Sequence, residues 1–307
     1  MTPALRVRRP GLLTTVQDLG RPGFGRFGVS VSGAMDPLAL VVANRLVGNP
    51  DGAAALECTA AGPELELLAD VRLALAGADL SPTLDGEPVE TWRALFAVAG
   101  AVLAFGPRRR GARCYVAAAG GLAVAPVFGS AATDLGAGIG GIAGRALRAG
   151  DELSVGAAPA GPERHLHPAL LRAWADPFTL RFVPEDGGPC DLAAFTGPTW
   201  CVSPRSDRTG YRLDGPALPV PAGATMVSEP IAPGTIQLPS DGHPIVLLAD
   251  RQTIGGYPRL GAVIAADLHK AGQLWLGHEV RFVAVTASAA RAALAEQRVL
   301  LAAGVTA

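Results

Sequence analysis

Short apolar runs of strand length alternate with glycine- and proline-marked turns along most of this chain. Runs of that size bounded by turn residues predict β-strands. They fall at 4–7, 54–58, 64–68, 71–77, 101–105 and 113–119, and again at 178–183, 235–238, 244–249 and 279–286. Helical spacing is rarer. Leu38, Val41, Val42 and Leu46 recur at helical intervals behind Asp36-Pro37, and Gly48 stops the run. An aspartate cap, a proline at the first helical position and a terminal glycine together predict a helix over 37–47, with Asn44 and Arg45 off the apolar stripe. Shorter helices are expected at 168–175 and 266–271, and an Ala/Leu-rich one at 288–302. The predicted fold class is mainly β with a few short helices.

The pattern also suggests two related β units. Leu147-Arg-Ala-Gly150-Asp-Glu152-Leu153-Ser-Val155 and Leu274-Trp-Leu-Gly277-His-Glu279-Val280-Arg-Phe282 share one spacing. Glu57 precedes Gly62, and Glu229 precedes Gly234, by the same five positions. Asp18-Leu-Gly20-Arg21 has a loose counterpart in Asp207-Arg-Thr-Gly210-Tyr-Arg212. Such internal echoes read as repetition of one structural unit. The expected division is an N-terminal unit over 1–157, a linker with a short helix over 158–176, and a C-terminal unit over 177–307.

Composition narrows what the units can do. The 307 residues are 49% hydrophobic, ample for buried cores. No apolar run reaches the eighteen residues that a membrane span needs, and the N-terminus lacks the apolar segment of a secretory signal. A cytoplasmic protein with no membrane partner is expected. The net charge is −1, and Arg108-Arg109-Arg110, between Pro107 and Gly111, reads as a solvated turn. Nucleic acid is therefore not an expected partner. The four cysteines show no metal-ligand or redox spacing and read as small buried hydrophobes. His165 and His167 lack a third ligand nearby, so no metal site is expected.

Candidate chemistry concentrates in three stretches. Gln17–Gly23 and its continuation Ser32–Pro37 set acids, arginines and serines among glycines, with Asp18 and Arg21 the leading candidates and Ser32 beside them. Ser206–Leu213 offers Arg208 and Tyr211. Ala249–Pro258 follows an apolar strand and offers Asp250, Gln252, Thr253, Gly255, Gly256 and Tyr257. Amide and hydroxyl groups beside open backbone suit a urea-like or amide substrate, which presents both donors and acceptors. Gly136-Ala137-Gly138-Ile139-Gly140-Gly141 formally matches a dinucleotide fingerprint, but no buried strand is expected before it and no helix after it.

The ordered motifs QDLGRPG (17–23), SGAMDP (32–37), ANRLVGN (43–49), SDRTGYRL (206–213) and LLADRQTIGGYP (247–258) resemble one family. It is the allophanate hydrolase subunit 2-like, or biotin-dependent carboxyltransferase, family, and the resemblance runs from about residue 5 to 286. It implies a cyclophilin-like β-barrel architecture and a B-type partner chain, which is allophanate hydrolase subunit 1-like. Family members include the C-type subunit of 5-oxoprolinase. In that enzyme a further A-type chain joins, and the complex opens 5-oxoproline to glutamate at the expense of ATP. They also include a segment of urea carboxylase that receives carboxybiotin and urea.

For opening an amide, Arg21 or Arg208 and the glycine-rich backbone at 20–33 and 255–256 are candidate donors to the oxyanion. Asp18, Asp36 and Asp250 are candidate base or orienting groups. Asp18, Arg21 and Asp250 are the expected catalytic residues. Ser32, Arg208, Tyr211, Gln252, Thr253, Gly255, Gly256 and Tyr257 are the expected substrate-binding residues. ATP would bind the complex or this chain, and biotin would come only in trans, since the single lysine, Lys270, has no biotinylation context. Three functions fit the motifs: the C-type component of 5-oxoprolinase, a carboxyltransferase component acting on urea or a related amide, or a non-catalytic antagonist of a kinase inhibitor of the B type. One departure stands out: Ala131 replaces an arginine usual in the family.

Overall fold

Most of the apolar runs become strands within one or two residues of their expected ends. The computed structural model describes residues 3–158, 164–175, 178–220 and 227–306. These fall into two compact units, one built from residues up to Arg21, Ser32–Leu171 and the tail from Leu301, the other from Pro22–Val31 and Arg172–Leu300.

The first unit contains β1 (Pro3–Arg9), β2 (Leu13–Gln17), β3 (Ala55–Thr59), β4 (Glu64–Leu67), β5 (Val71–Asp79) and β6 (Pro82–Leu84). It continues with β7 (Glu87–Pro88), β8 (Arg93–Ala97), β9 (Val102–Phe105), β10 (Arg110–Ala118), β11 (Glu152–Ser154) and β12 (His165–Leu166). One sheet runs β11-β1-β4-β9-β6-β7; the other runs β2-β3-β10-β5-β8-β12 and ends on the C-terminal residues Val305–Thr306. A shared core of Leu5, Leu65 and Leu103 from the first sheet and Leu56, Leu73 and Val116 from the second holds them together. Helix α1 (Pro37–Leu46) covers β5 and β10 on their other side. β3 and β10 are buried almost without interruption, β10 between the shared core on one face and α1 on the other.

Asp36 caps α1 as expected, its carboxylate accepting from Ala39 N at 2.8 Å. Asn44, expected off the apolar stripe, is instead fully buried. Its Nδ2 donates to Ala53 O at 2.8 Å, while Asn49 Nδ2 donates to Asn44 Oδ1 at 3.0 Å and to Ala118 O at 2.8 Å. The ANRLVGN motif is thus a polar clamp joining the end of α1 to the end of β10. Helix α2 (Pro168–Leu171) continues as a 3-10 turn through Trp174.

The second unit contains β13 (Thr179–Pro184), β14 (Trp200–Val202), β15 (Gly210–Asp214), β16 (Glu229–Pro230) and β17 (Thr235–Gln237). Then come β18 (Ile245–Leu247), β19 (Ile254–Gly255), β20 (Arg259–Val263) and β21 (Glu279–Ala284). Seven of these close a barrel in the order β13-β20-β17-β18-β15-β14-β21, and β16 pairs with β19 as a separate ribbon. Phe182, Phe195, Trp200 and Phe282 form its aromatic filling, with ring centroids 4.6 Å apart for Phe195 and Phe282. Helices α3 (Leu192–Thr196), α4 (Leu268–Gln273) and α5 (Ala287–Ala303) complete the elements. Among the described residues, no helix is long and apolar enough to cross a membrane.

The unit boundaries differ from the expected 157/177 division in two places. Pro22–Val31 joins the second unit, where Ser30 Oγ reaches Ala249 O at 3.5 Å. The tail joins the first, where His165 and Leu166 pair with Thr306 and Val305. Both are long-range pairings that no local pattern announces. Part of the expected linker, residues 159–163, lies outside the described residues. Of the internal echoes, Gly150 and Gly277 share a positive φ and each donates to a strand carbonyl, Val7 O and Val202 O at 2.8 Å. Glu57 and Glu229 are not equivalent, the first buried in β3 and the second on the exposed β16.

The cysteines divide. Cys58 and Cys114 are buried opposite one another on β3 and β10, and burial pushes the Cys114 thiol up to about 12. Cys190 and Cys201, expected to be buried, are only partly so.

Candidate functional site

In the first unit, the QDLGRPG motif leaves β2 and meets the stretch Val127–Gly144. Asp18 is buried and its carboxylate is fully engaged: Oδ1 accepts from Gly20 N at 2.7 Å and Ser130 Oγ at 2.6 Å, Oδ2 from Ala131 N at 2.6 Å. Position 131 therefore serves Asp18 through its backbone, so alanine there leaves this contact intact. Arg21 is buried as well; its Nη2 donates to Ala132 O and its Nε to Val127 O at 3.3 Å. Gln17 Nε2 and Ser32 Oγ both donate to Thr133 O, at 3.0 and 3.1 Å. Two polar atoms of this cluster, Arg21 Nη1 and Gln17 Oε1, are buried without a partner among the described residues. Such atoms are rare in native proteins and ask for a reason.

Glycines make this arrangement possible. Gly33, at φ +88°, would place a Cβ 2.7 Å from Gly20 N, so the two turns of the motif can touch only without side chains. Beneath them, Glu57 Oε2 accepts from Tyr115 Oη at 2.6 Å and from Met35 N at 2.9 Å, and Tyr115 Oη accepts from Asp36 N at 2.8 Å. Burial, reinforced by Glu57 and Asp36, pushes the Tyr115 phenol well up. The Gly136–Gly141 run forms turns and an isolated Asp134–Ile139 bridge. Four of its six amides are spent locally, among them Gly138 N on Asp134 O at 2.9 Å and Gly141 N on Ala131 O at 2.9 Å. No helix follows the run to present a phosphate site.

In the second unit, Arg208 and Asp250 form a buried two-point ion pair, Nε–Oδ2 at 2.8 Å and Nη2–Oδ1 at 3.1 Å. Tyr211 is buried, its hydroxyl donating to Leu274 O at 3.1 Å, so in this conformation it offers packing rather than a surface contact. Gln252 and Tyr257 are exposed, and Thr253, Gly255 and Gly256 partly so. Arg251, which no sequence argument singled out, is buried beside them. Its Nε donates to Ile231 O at 3.1 Å and its Nη1 to Leu248 O at 3.2 Å, and burial lowers its proton affinity. The structure thus brings Asp18, Arg21 and Ser32 to one polar cluster and Arg208 to Asp250 in another.

Among the described residues, no three or more His, Cys, Asp or Glu side chains converge as a metal site. His167 Nδ1 accepts from Ala169 N at 3.2 Å, and the His165 side chain lies outside the described residues.

A closed, mostly antiparallel barrel and a two-sheet unit, with glycine-bearing motifs in each, define a mainly β protein. The profile described as "Carboxyltransferase domain, subdomain A and B" matches residues 27–284, and the chain belongs to this family. It is 41% identical over 285 residues to the C-type subunit of 5-oxoprolinase from Escherichia coli (strain K12), covering 91% of this chain and 90% of that one. Among solved structures, TTHA0988 superposes with a TM-score of 0.83 at 38% identity, covering 92% of this chain and 55% of its own. The K. lactis urea amidolyase superposes with a TM-score of 0.91 at 28% identity, covering 98% of this chain and 20% of its own. The chain therefore spans little more than half of the first solved chain and a fifth of the second.

Proposed function

We propose that this chain is the C-type component of an ATP-dependent 5-oxoprolinase complex that hydrolyses 5-oxoproline to glutamate, working with B-type and A-type partner chains. The observation that carries the reading is the 41% identity to a 5-oxoprolinase component of that type over nine tenths of both chains. Opening the lactam requires an activated carbonyl and donors for the oxyanion that develops on it. In this reading Asp18 and Asp250, whose oxygens are engaged by neighbours, act by orientation rather than as free bases. Arg21, whose buried Nη1 has no hydrogen-bond partner among the described residues, is the candidate donor. ATP is bound by the complex outside the Gly136–Gly141 run. The experiment is to co-purify this chain with its A-type and B-type partners and follow glutamate release from 5-oxoproline plus ATP. Release that depends on all three chains and falls with Arg21→Met supports the reading; an assembled but inactive complex sinks it.

A second reading, transfer of a carboxyl group to urea or a related amide from biotin supplied in trans, is favoured by the resemblance to urea amidolyase over nearly the whole chain. Co-purification of a biotinylated carrier on avidin separates it from the first.

A further inference from the structure

We infer that Arg251 and Gln237 of the second unit form a binding subsite for a small carboxylate. Arg251 is only 9% exposed, yet no carboxylate of the described residues is paired with it. Its Nε and Nη1 donate to the carbonyls of Ile231 and Leu248, and its Nη2 makes no hydrogen bond among the described residues. A buried guanidinium satisfied only by carbonyls is costly, and an anion offsets that cost.

The neighbouring acids are committed elsewhere. Asp250 is held by Arg208 at 2.8 Å, and Glu229 and Glu185 share Arg259 at 2.9 and 3.0 Å. No competing carboxylate of the described residues is paired with Arg251.

A second, independent feature lies next to it. Gln237, on β17, is only 2% exposed. Its Oε1 accepts from Gln252 Nε2 at 3.4 Å, which turns its Nε2 toward Gly255, where a Cβ would come within 2.7 Å of it. That Nε2 has no hydrogen-bond partner among the described residues. Ile231 connects the two features, its carbonyl accepting from Arg251 Nε while its Cδ1 crowds the same Cβ position at Gly255. The side chain that glycine lacks would displace or cap the Gln237 amide, so Gly255 keeps that donor uncovered beside partly exposed backbone, next to Arg251. A guanidinium nitrogen and a neutral amide nitrogen suit the two oxygens of a carboxylate. Under the reading proposed above, and resting on it, the ligand is the carboxylate of 5-oxoproline.

The test is a ligand-observed NMR titration of the full chain with 5-oxoproline, acetate, and 2-pyrrolidinone, which has the same lactam but no carboxylate. Wild type is expected to bind 5-oxoproline more tightly than 2-pyrrolidinone. Gln237→Glu, a near-isosteric change that places a negative charge in the subsite, is expected to weaken 5-oxoproline and acetate about 10-fold or more and leave 2-pyrrolidinone unchanged. Arg251→Lys keeps the charge but loses the fork and should weaken the same two ligands; a thermal melt checks that each variant folds. Equal binding of lactam and lactam acid, carboxylate binding unchanged in Gln237→Glu, or no carboxylate binding at all overturns the inference. An inactive complex whose chain still binds carboxylates in a Gln237-dependent way sinks the enzymatic reading and leaves the subsite standing. An active complex indifferent to Gln237→Glu does the reverse.

Discussion

The two units solve one problem, burying arginines and acids at the ends of short strands, in opposite ways. In the first unit the acid is neutralised by loop donors: Asp18 takes a hydroxyl and two backbone amides, and Arg21 is left to carbonyls. In the second, Arg208 and Asp250 neutralise each other through two parallel bonds, and Arg251 is left to carbonyls. The first solution depends on backbone shape and therefore on glycine. The second depends on side-chain charge and tolerates ordinary backbone.

The largest effect that separates these solutions should come from Arg208→Met, which removes the two-point partner of the buried Asp250 carboxylate. It is expected to cost about 3–5 kcal/mol in urea denaturation, and the double variant with Asp250→Leu should recover most of that. If the single and double variants lose the same amount, charge is not what holds this end of the barrel. A smaller, paired effect should come from two glycines of like conformation. Gly144 in the first unit (φ +66°) would drive a Cβ into the Gly138 carbonyl, whereas Gly277 in the second (φ +81°) meets nothing within 4 Å. Gly144→Ala should cost about 2–3 kcal/mol and Gly277→Ala about 1 kcal/mol by the same measurement. Equal losses would remove the contrast.

The smallest effect is a pH dependence within the second unit. Burial tends to raise the Asp267 carboxyl, but two-point bonds from Arg181 at 2.7 and 2.9 Å, the Arg181 amide, and Lys270 together bring it below the usual carboxylate value. A depressed folded value stabilises the protein above the unfolded value, near about pH 4, and that contribution is lost as pH falls through the folded value. The stability gap between wild type and Asp267→Asn should therefore be widest near neutral pH and narrow below about pH 4. A gap that stays constant to about pH 3 would show that the carboxylate's charge is not what Arg181 reads.

Much of this fold was legible because strand length, turn residues and helix caps act locally. Asp36-Pro37 and Gly48 bounded α1 from within a dozen residues. Strand β2 is not legible in the sequence because Thr14 and Thr15, on opposite faces, are both buried and so give no alternation. β15, with Tyr211 and Leu213 buried and Arg212 exposed, has the alternation but too little apolar length to stand out among polar turns. The candidate residues were legible as a set, since the motifs carry acids, arginines and glycines at fixed spacing. Their individual states were not. Nothing near Asp18 in sequence announces Ser130, and nothing near Arg208 announces Asp250, because both partnerships close over more than forty residues.

Sequence alone thus determined the class of elements, the position of the first helix and the family, since each rests on patterns within short windows or on ordered motifs. Tertiary structure decided which acids remain available. It committed Asp18 and Asp250 to neighbours, turned Tyr211 inward, and left Arg251, Gln237 and Arg21 with donors unspent. A hydrogen bond is settled by what folding brings within about three ångströms, and that information is carried by no single stretch of the chain.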